Sequence, residues 1–104
     1  MRKKVVYIAG PITGIEKYWE PFERAEDEVE AAGFIALTPT RLPQGLTNEQ
    51  YMRIDMAMID TADAVLFLPG WGESPGALVE NNYCTYTRKP VAYAVDDIKE
   101  VLRR

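Results

Sequence analysis

Ala64-Val65-Leu66-Phe67-Leu68, then Glu73-Ser74-Pro75-Gly76-Ala77-Leu78-Val79-Glu80, is an apolar run that leads into a helix start. Five apolar residues without polar alternation are too short for a core helix and predict a buried strand. Ser74 suits a helix N-cap, and Pro75 suits the first helical position, where its missing N–H costs nothing. The helix then begins at the carboxyl end of a buried strand, where open α/β sheets bind their ligands. At 3.6 residues per turn Gly76 and Glu80 share one helix face. A carboxylate therefore projects beside a position with no side chain. Either Glu80 is an ordinary surface acid or it faces a ligand, and the rest of the chain bears on which.

Outward from this stretch, strands and helices alternate. Val5 to Ala9 is a short apolar run closed by Gly10-Pro11, which predicts a buried strand and a loop. From Glu16 to Ala32, Phe22, Ala25, Val29 and Ala32 recur at helical spacing, and Gly33 supplies a stop. Phe34 to Leu37 reads as a second strand, ended by Pro39. Thr40 to Leu46 holds Pro43 and Gly45 without periodicity and reads as a loop. Thr47 with Gln50 forms a capping-box pattern. Tyr51, Ile54 and Met58 then make an inward stripe on a helix ending near Thr61. The helix begun at Ser74 offers Leu78 and Tyr86 for its buried side. Pro90 to Ala94 reads as a fourth strand, at an edge because of its proline. Asp96 is placed to cap a last short helix ending in Arg103-Arg104, cations suited to a helix C-terminus.

This alternation implies right-handed crossovers and a parallel sheet. The expected fold is a single α/β domain over residues 1–104. It is doubly wound and flavodoxin-like, with four or five parallel strands, flanking helices and core strand order 2-1-3-4. Its switch point falls between the first and third strands. The loop Gly10-Pro11-Ile12-Thr13-Gly14 and the loop from Pro69 to Pro75 should flank one crevice there.

Bulk properties narrow the chemistry. The chain of 104 residues is 47% apolar, enough for one packed core. A net charge of −4 without a basic cluster argues against a nucleic-acid polymer as partner. A small anion held by backbone amides stays open. The single cysteine, Cys84, cannot form an internal disulfide and fits a reducing cytoplasm. No apolar run is long enough to span a bilayer, and Met1-Arg2-Lys3-Lys4 leads into a strand-length run rather than a signal peptide. With no histidine and one cysteine, zinc sites and histidine triads are excluded. Acid–base chemistry must come from carboxylates, tyrosines or a cofactor.

Several residues converge on the crevice. Tyr7 either presents its phenol there or is a core tyrosine. Gly10 to Gly14 can bring backbone amides to an anion, though a tight turn needs the same glycines, and no Gly-Lys-Ser/Thr follows as in a Walker A loop. Asp55 sits at the margin of the buried stripe and is either a solvated acid or a second carboxylate for the site. Two acids and a phenol around a cleft can do nucleophilic and acid–base work without histidine.

Tyr7-Ile8-Ala9-Gly10-Pro11, Asp55 ahead of Ala62-Asp63, and Gly76-x-x-x-Glu80 before Lys89-Pro90-Val91 stand in a telling order. The chain resembles the nucleoside 2-deoxyribosyltransferase superfamily from Val5 to Ala94, including its small, often phage-encoded members and the 2'-deoxynucleoside 5'-phosphate N-hydrolases. The resemblance implies cleavage or transfer at the N-glycosidic bond of a 2'-deoxynucleoside or its 5'-monophosphate. It gives Glu80 the role of nucleophile on the anomeric carbon, Asp55 that of assisting proton transfer to the leaving base, and Tyr7 that of orienting the nucleophile. Gly10, Pro11, Ile12, Thr13, Gly14, Ser74 and Gly76 would bind substrate. The residue at the Ser74 position is an aspartate in nucleoside-using transferases and a serine in the 5'-phosphate hydrolases, which tilts the expectation towards monophosphates. Thr13 stands where those hydrolases carry an arginine, so one phosphate partner is missing. The resemblance further implies no cofactor, a homo-oligomer, and a base pocket completed by a neighbouring subunit where the loop from Thr40 to Leu46 is short. Trp19, Trp71 and Tyr18 are either stacking surfaces for a base or core and contact residues. Cys84 reads as a packed small hydrophobe. The alternative is a non-catalytic nucleotide-binding or sensing module on the same fold.

Overall fold

The computed structural model describes residues 2–104; Met1 lies outside them. At its centre is β1 (Val5–Ala9), paired in parallel with β2 (Ile35–Leu37) on one side and β3 (Ala64–Phe67) on the other. β4 (Val91–Ala92) adds to β3 at the edge, giving the expected order β2-β1-β3-β4. Val6, Tyr7, Ile8 and Ala9 are all fully buried, as a central parallel strand covered on both faces requires. Successive side chains of β1 enter opposite cores. Val6 and Ile8 pack with Phe22, Ala25 and Val29 of α1 (Trp19–Ala31) and with Ile98 and Val101 of α4 (Ile98–Leu102). Tyr7 and Ala9 pack with Ile59 of α2 (Asn48–Thr61) and with Ala77 and Cys84 of α3 (Pro75–Thr87). Tyr7 is thereby committed to the α2–α3 side of the sheet. Among the described residues no helix is long and apolar enough to cross a membrane.

The structure corrects several boundaries. α1 starts at Trp19 and not at Glu16, because Lys17 is in the left-handed region (φ 53°) and breaks any earlier turn. The Phe34 to Leu37 run contributes Ile35–Leu37 to the sheet, and of Pro90 to Ala94 only Val91–Ala92 pairs. Asp96 does not cap the last helix. It lies in a 3-10 turn, Val95–Asp97, and Asp97 at the N-cap position makes no side-chain capping bond. The capping box is present as expected: Thr47 Oγ1 accepts from the Gln50 N–H at 3.1 Å, and Gln50 Oε1 accepts from the Thr47 N–H at 2.9 Å.

Two helix faces are turned from expectation. In α2 the buried residues are Asp55 and Ile59, whereas Tyr51, Ile54 and Met58 are only half-buried. In α3 the inward side is Ala77, Glu80 and Cys84, while Leu78 is 40% exposed and Tyr86 is 90% exposed. Both helices bury an acid where the apolar pattern asks for a hydrocarbon.

Candidate active site

Burying those two acids has a local cause. On α3, Ser74 caps the helix by accepting from the Ala77 N–H at 3.3 Å, Pro75 takes the first helical position, and Glu80 falls one and a half turns further in, facing the sheet. On the sheet below, Tyr7 donates its phenolic hydrogen to Glu80 Oε2 at 2.7 Å. From the neighbouring helix α2, Asp55 lines the same cleft, close enough that the two acids perturb each other's ionisation. Tyr7, Asp55 and Glu80 are 0%, 9% and 4% exposed. The structure thus brings the three residues together.

Their electrostatics follow from burial. Glu80 is pushed up to about 8, chiefly by desolvation and further by the negative charge of Asp55, against the Tyr7 hydrogen bond that favours its ionised form. Asp55 is raised to about 6 by desolvation, partly offset by its bond with Glu80. Burial, then Glu80, holds the Tyr7 phenol far above its ordinary range, so it is a fixed donor. Two carboxyl groups this close, out of water, cannot both be charged; the pair carries one proton near neutral pH. Asp55 Oδ1 is buried with no hydrogen-bond partner among the described residues. A proton shared with Glu80, or a donor on a ligand, meets that need.

The pair opens into a cleft of about 680 Å³ at the carboxyl ends of β1 and β3. Gly10 is there for close approach: a Cβ on it would lie 3.0 Å from Leu68 Cβ. Gly70 (φ 88°) turns the chain after β3, and a Cβ there would lie 3.2 Å from Pro11 Cγ. The two loops are therefore pressed together at the switch point. Gly10, Pro11, Ile12 and Thr13 line the cleft, as do Ser74 and Gly76. Gly14 does not; it sits in a turn (φ 77°) spanned by the Ile15 N–H to Ile12 O bond of 3.1 Å.

Of the three candidate stacking aromatics, Tyr18 reaches the cleft. Trp19 packs edge-on against Tyr18, and Trp71 packs against Phe67 and Tyr93 away from the site. Cys84 is buried and its thiol is raised to about 11, first by burial, in keeping with a packing role. Sequence reasoning missed Gln44, Asn48 and Glu73, which also line the cleft. Gln44 and Glu73 lie in segments without periodicity. In the folded chain Tyr51 staples the loop that carries Gln44, donating to Pro43 O at 2.7 Å and accepting from the Leu46 N–H at 3.3 Å. Among the described residues no group of three or more His, Cys, Asp or Glu is placed to hold a metal ion.

Residues 4–93 match the family described as Domain of unknown function (DUF4406). The chain belongs to this family. The DUF4406 match takes in Tyr7, Asp55, Glu80 and both loops of the cleft, and leaves α4 outside. A comparison with curated proteins gave no match.

Proposed function

We propose that this DUF4406 protein cleaves or transfers at the N-glycosidic bond of a 2'-deoxynucleoside or its 5'-monophosphate, in the manner of the nucleoside 2-deoxyribosyltransferases that the sequence resembles. The observation that carries the reading is the buried Tyr7–Glu80 hydrogen bond with Asp55 beside it, at the floor of the cleft. A lone buried acid is costly, and one paired with a second acid and a fixed donor is the arrangement that tunes acid–base chemistry without histidine.

In this reading a Glu80 oxygen forms a bond to C1' of the sugar as the C1'–N bond breaks. The departing base takes the proton held on Asp55. Water, or a second base, then adds to C1', gives its proton to Asp55, and frees the Glu80 carboxylate. The single proton of the pair suits both half-reactions, provided it lies on Asp55 when the bond breaks. Tyr7 favours that placement because its donation stabilises ionised Glu80. No cofactor is required by this route.

A non-catalytic nucleotide-binding module is the second reading, favoured by one observation: burial holds Glu80 largely protonated in the free protein. Chromatography of deoxynucleosides and deoxynucleotides incubated with the protein decides between them. Free base released by wild type and not by Glu80→Ala supports the enzyme. Saturable binding without release supports the module, and neither binding nor release overturns both.

A further inference from the structure

The charge of the cleft selects between the two substrate forms. Three acidic residues line it, Asp55, Glu73 and Glu80, with one proton shared by the Asp55–Glu80 pair, and no lysine or arginine does. Arg41 and Arg53 are engaged elsewhere, with Glu26 and Glu49. A ligand phosphate would have to rely on backbone amides, and these are scarce at the start of α3. Pro75 has no N–H, and the Ala77 N–H is accepted by Ser74. Ser74 thus uses a lone pair to cap the helix, and among the described residues its O–H is the one side-chain donor left at this helix start. The helix terminus itself is worth about half a positive charge. Against it stands a whole negative charge on Glu73, the residue just before the cap, in the 3-10 turn Trp71–Glu73. Asp55 Oδ1, more than nine-tenths buried and unpartnered among the described residues, calls for a donor and repels an anion.

We propose that Glu73 is a specificity-determining residue that excludes phosphorylated ligands, so that the substrate is an uncharged deoxynucleoside. This rests on the reading of the cleft as a nucleoside site. With C1' at Glu80 and the base towards Asp55 on α2, the 5' end of the sugar turns to the wall formed by the first loop and the start of α3, where Glu73 stands. A 5'-phosphate there carries up to two negative charges beside the Glu73 carboxylate. A free 5'-hydroxyl carries none and can donate to it.

The test titrates the common deoxynucleosides and their 5'-monophosphates into wild type, Glu73→Gln and Glu73→Lys, at low and high salt. The Glu73 carboxylate is exposed and makes no side-chain hydrogen bond among the described residues, so both variants should keep the wild-type melting temperature. Wild type is expected to bind a nucleoside at least about tenfold tighter than its monophosphate at low salt. Glu73→Gln, whose amide oxygen still accepts from the 5'-hydroxyl but less strongly, should shrink that ratio several-fold, mainly through tighter monophosphate binding, and Glu73→Lys should shrink it further. Added salt should shrink the ratio in wild type and leave it nearly constant in Glu73→Gln. Equal affinities in wild type, a preference for the monophosphate, or a ratio indifferent to Glu73→Gln overturns the charge filter alone. Failure of every ligand to bind wild type overturns the nucleoside reading and the filter with it.

Discussion

The Tyr7 hydroxyl and Glu80 Oε2 meet at 2.7 Å although 73 positions separate them in the chain. β1 supplies the donor, α3 supplies the acid, and the sheet fixes the distance between them. Tyr7→Phe removes a donor that favours ionised Glu80, so Glu80 should become harder to ionise. Base release should fall roughly 10–100-fold, and the acidic limb of its pH profile should move to higher pH. The packing of the ring is retained, so stability should change by only about 1–2 kcal/mol. A profile that keeps its position in Tyr7→Phe would detach Tyr7 from the nucleophile.

Activity should be bell-shaped in pH. The productive pair carries one proton, and its two titrations lie near 6 and near 8. Below the first both acids are protonated and Glu80 cannot attack; above the second no proton is left for the base. A rate of base release that rises monotonically from pH 5 to pH 9 contradicts the one-proton pair.

Glu80→Gln should abolish turnover, by several powers of ten, and yet stabilise the fold. A carboxyl whose folded value is raised binds its proton more tightly in the folded state than in the unfolded chain. The stability this brings is fully present below the unfolded value of about 4.3 and is lost as pH rises towards about 8. A neutral amide has no such loss, and its NH2 can donate to a neighbouring carboxylate. The melting temperature of Glu80→Gln should exceed wild type by more at pH 8 than at pH 5. A lower melting temperature at both values would mean that the carboxylate is held by the fold for stability.

Asp55→Asn should stay within about 1 kcal/mol of wild-type stability, since an amide fits the same buried position and can donate to Glu80. Its turnover should fall most for substrates whose leaving base needs protonation. Comparing release rates across bases of different basicity checks this, and a uniform loss would deny Asp55 the acid role.

Tyr51→Phe cuts both bonds that hold the loop from Pro43 to Leu46. Gln44 then loses its fixed place at the cleft, so KM should rise several-fold while kcat and melting temperature change little. An unchanged KM would show that this loop does not touch substrate.

The legible parts of this protein are those set by local chemistry. Ser74-Pro75 marks the start of α3, Thr47 with Gln50 marks the start of α2, and the apolar runs mark β1 and β3. The helix faces were less legible because each breaks its own pattern at the site. An acid at the centre of the buried stripe of α2 makes Tyr51, Ile54 and Met58 look like the inward side. Small residues with Glu80 inside α3 leave Leu78 and Tyr86 as false candidates. Amphipathic reasoning places acids outside, and here two of them are held inside by each other and by Tyr7. The loop that holds Glu73 is expected at the crevice from the sequence, but it has no period to single out that residue, and that Gln44 reaches the cleft shows only in the folded chain.

The centre of the sheet has a consequence for how the molecule is made. β1 leaves the ribosome first, and its two neighbours come later in the chain, β2 and then β3. α1 follows at once and can cover Val6 and Ile8, but Tyr7 and Ala9 face the side that α2 and α3 cover only later. Parallel pairings of this kind close long loops and are slow to form. The nascent chain must therefore carry β1 with open edges and one bare face until β2, β3 and the later helices follow, and the site at Tyr7 cannot exist until α3 has emerged to supply Glu80.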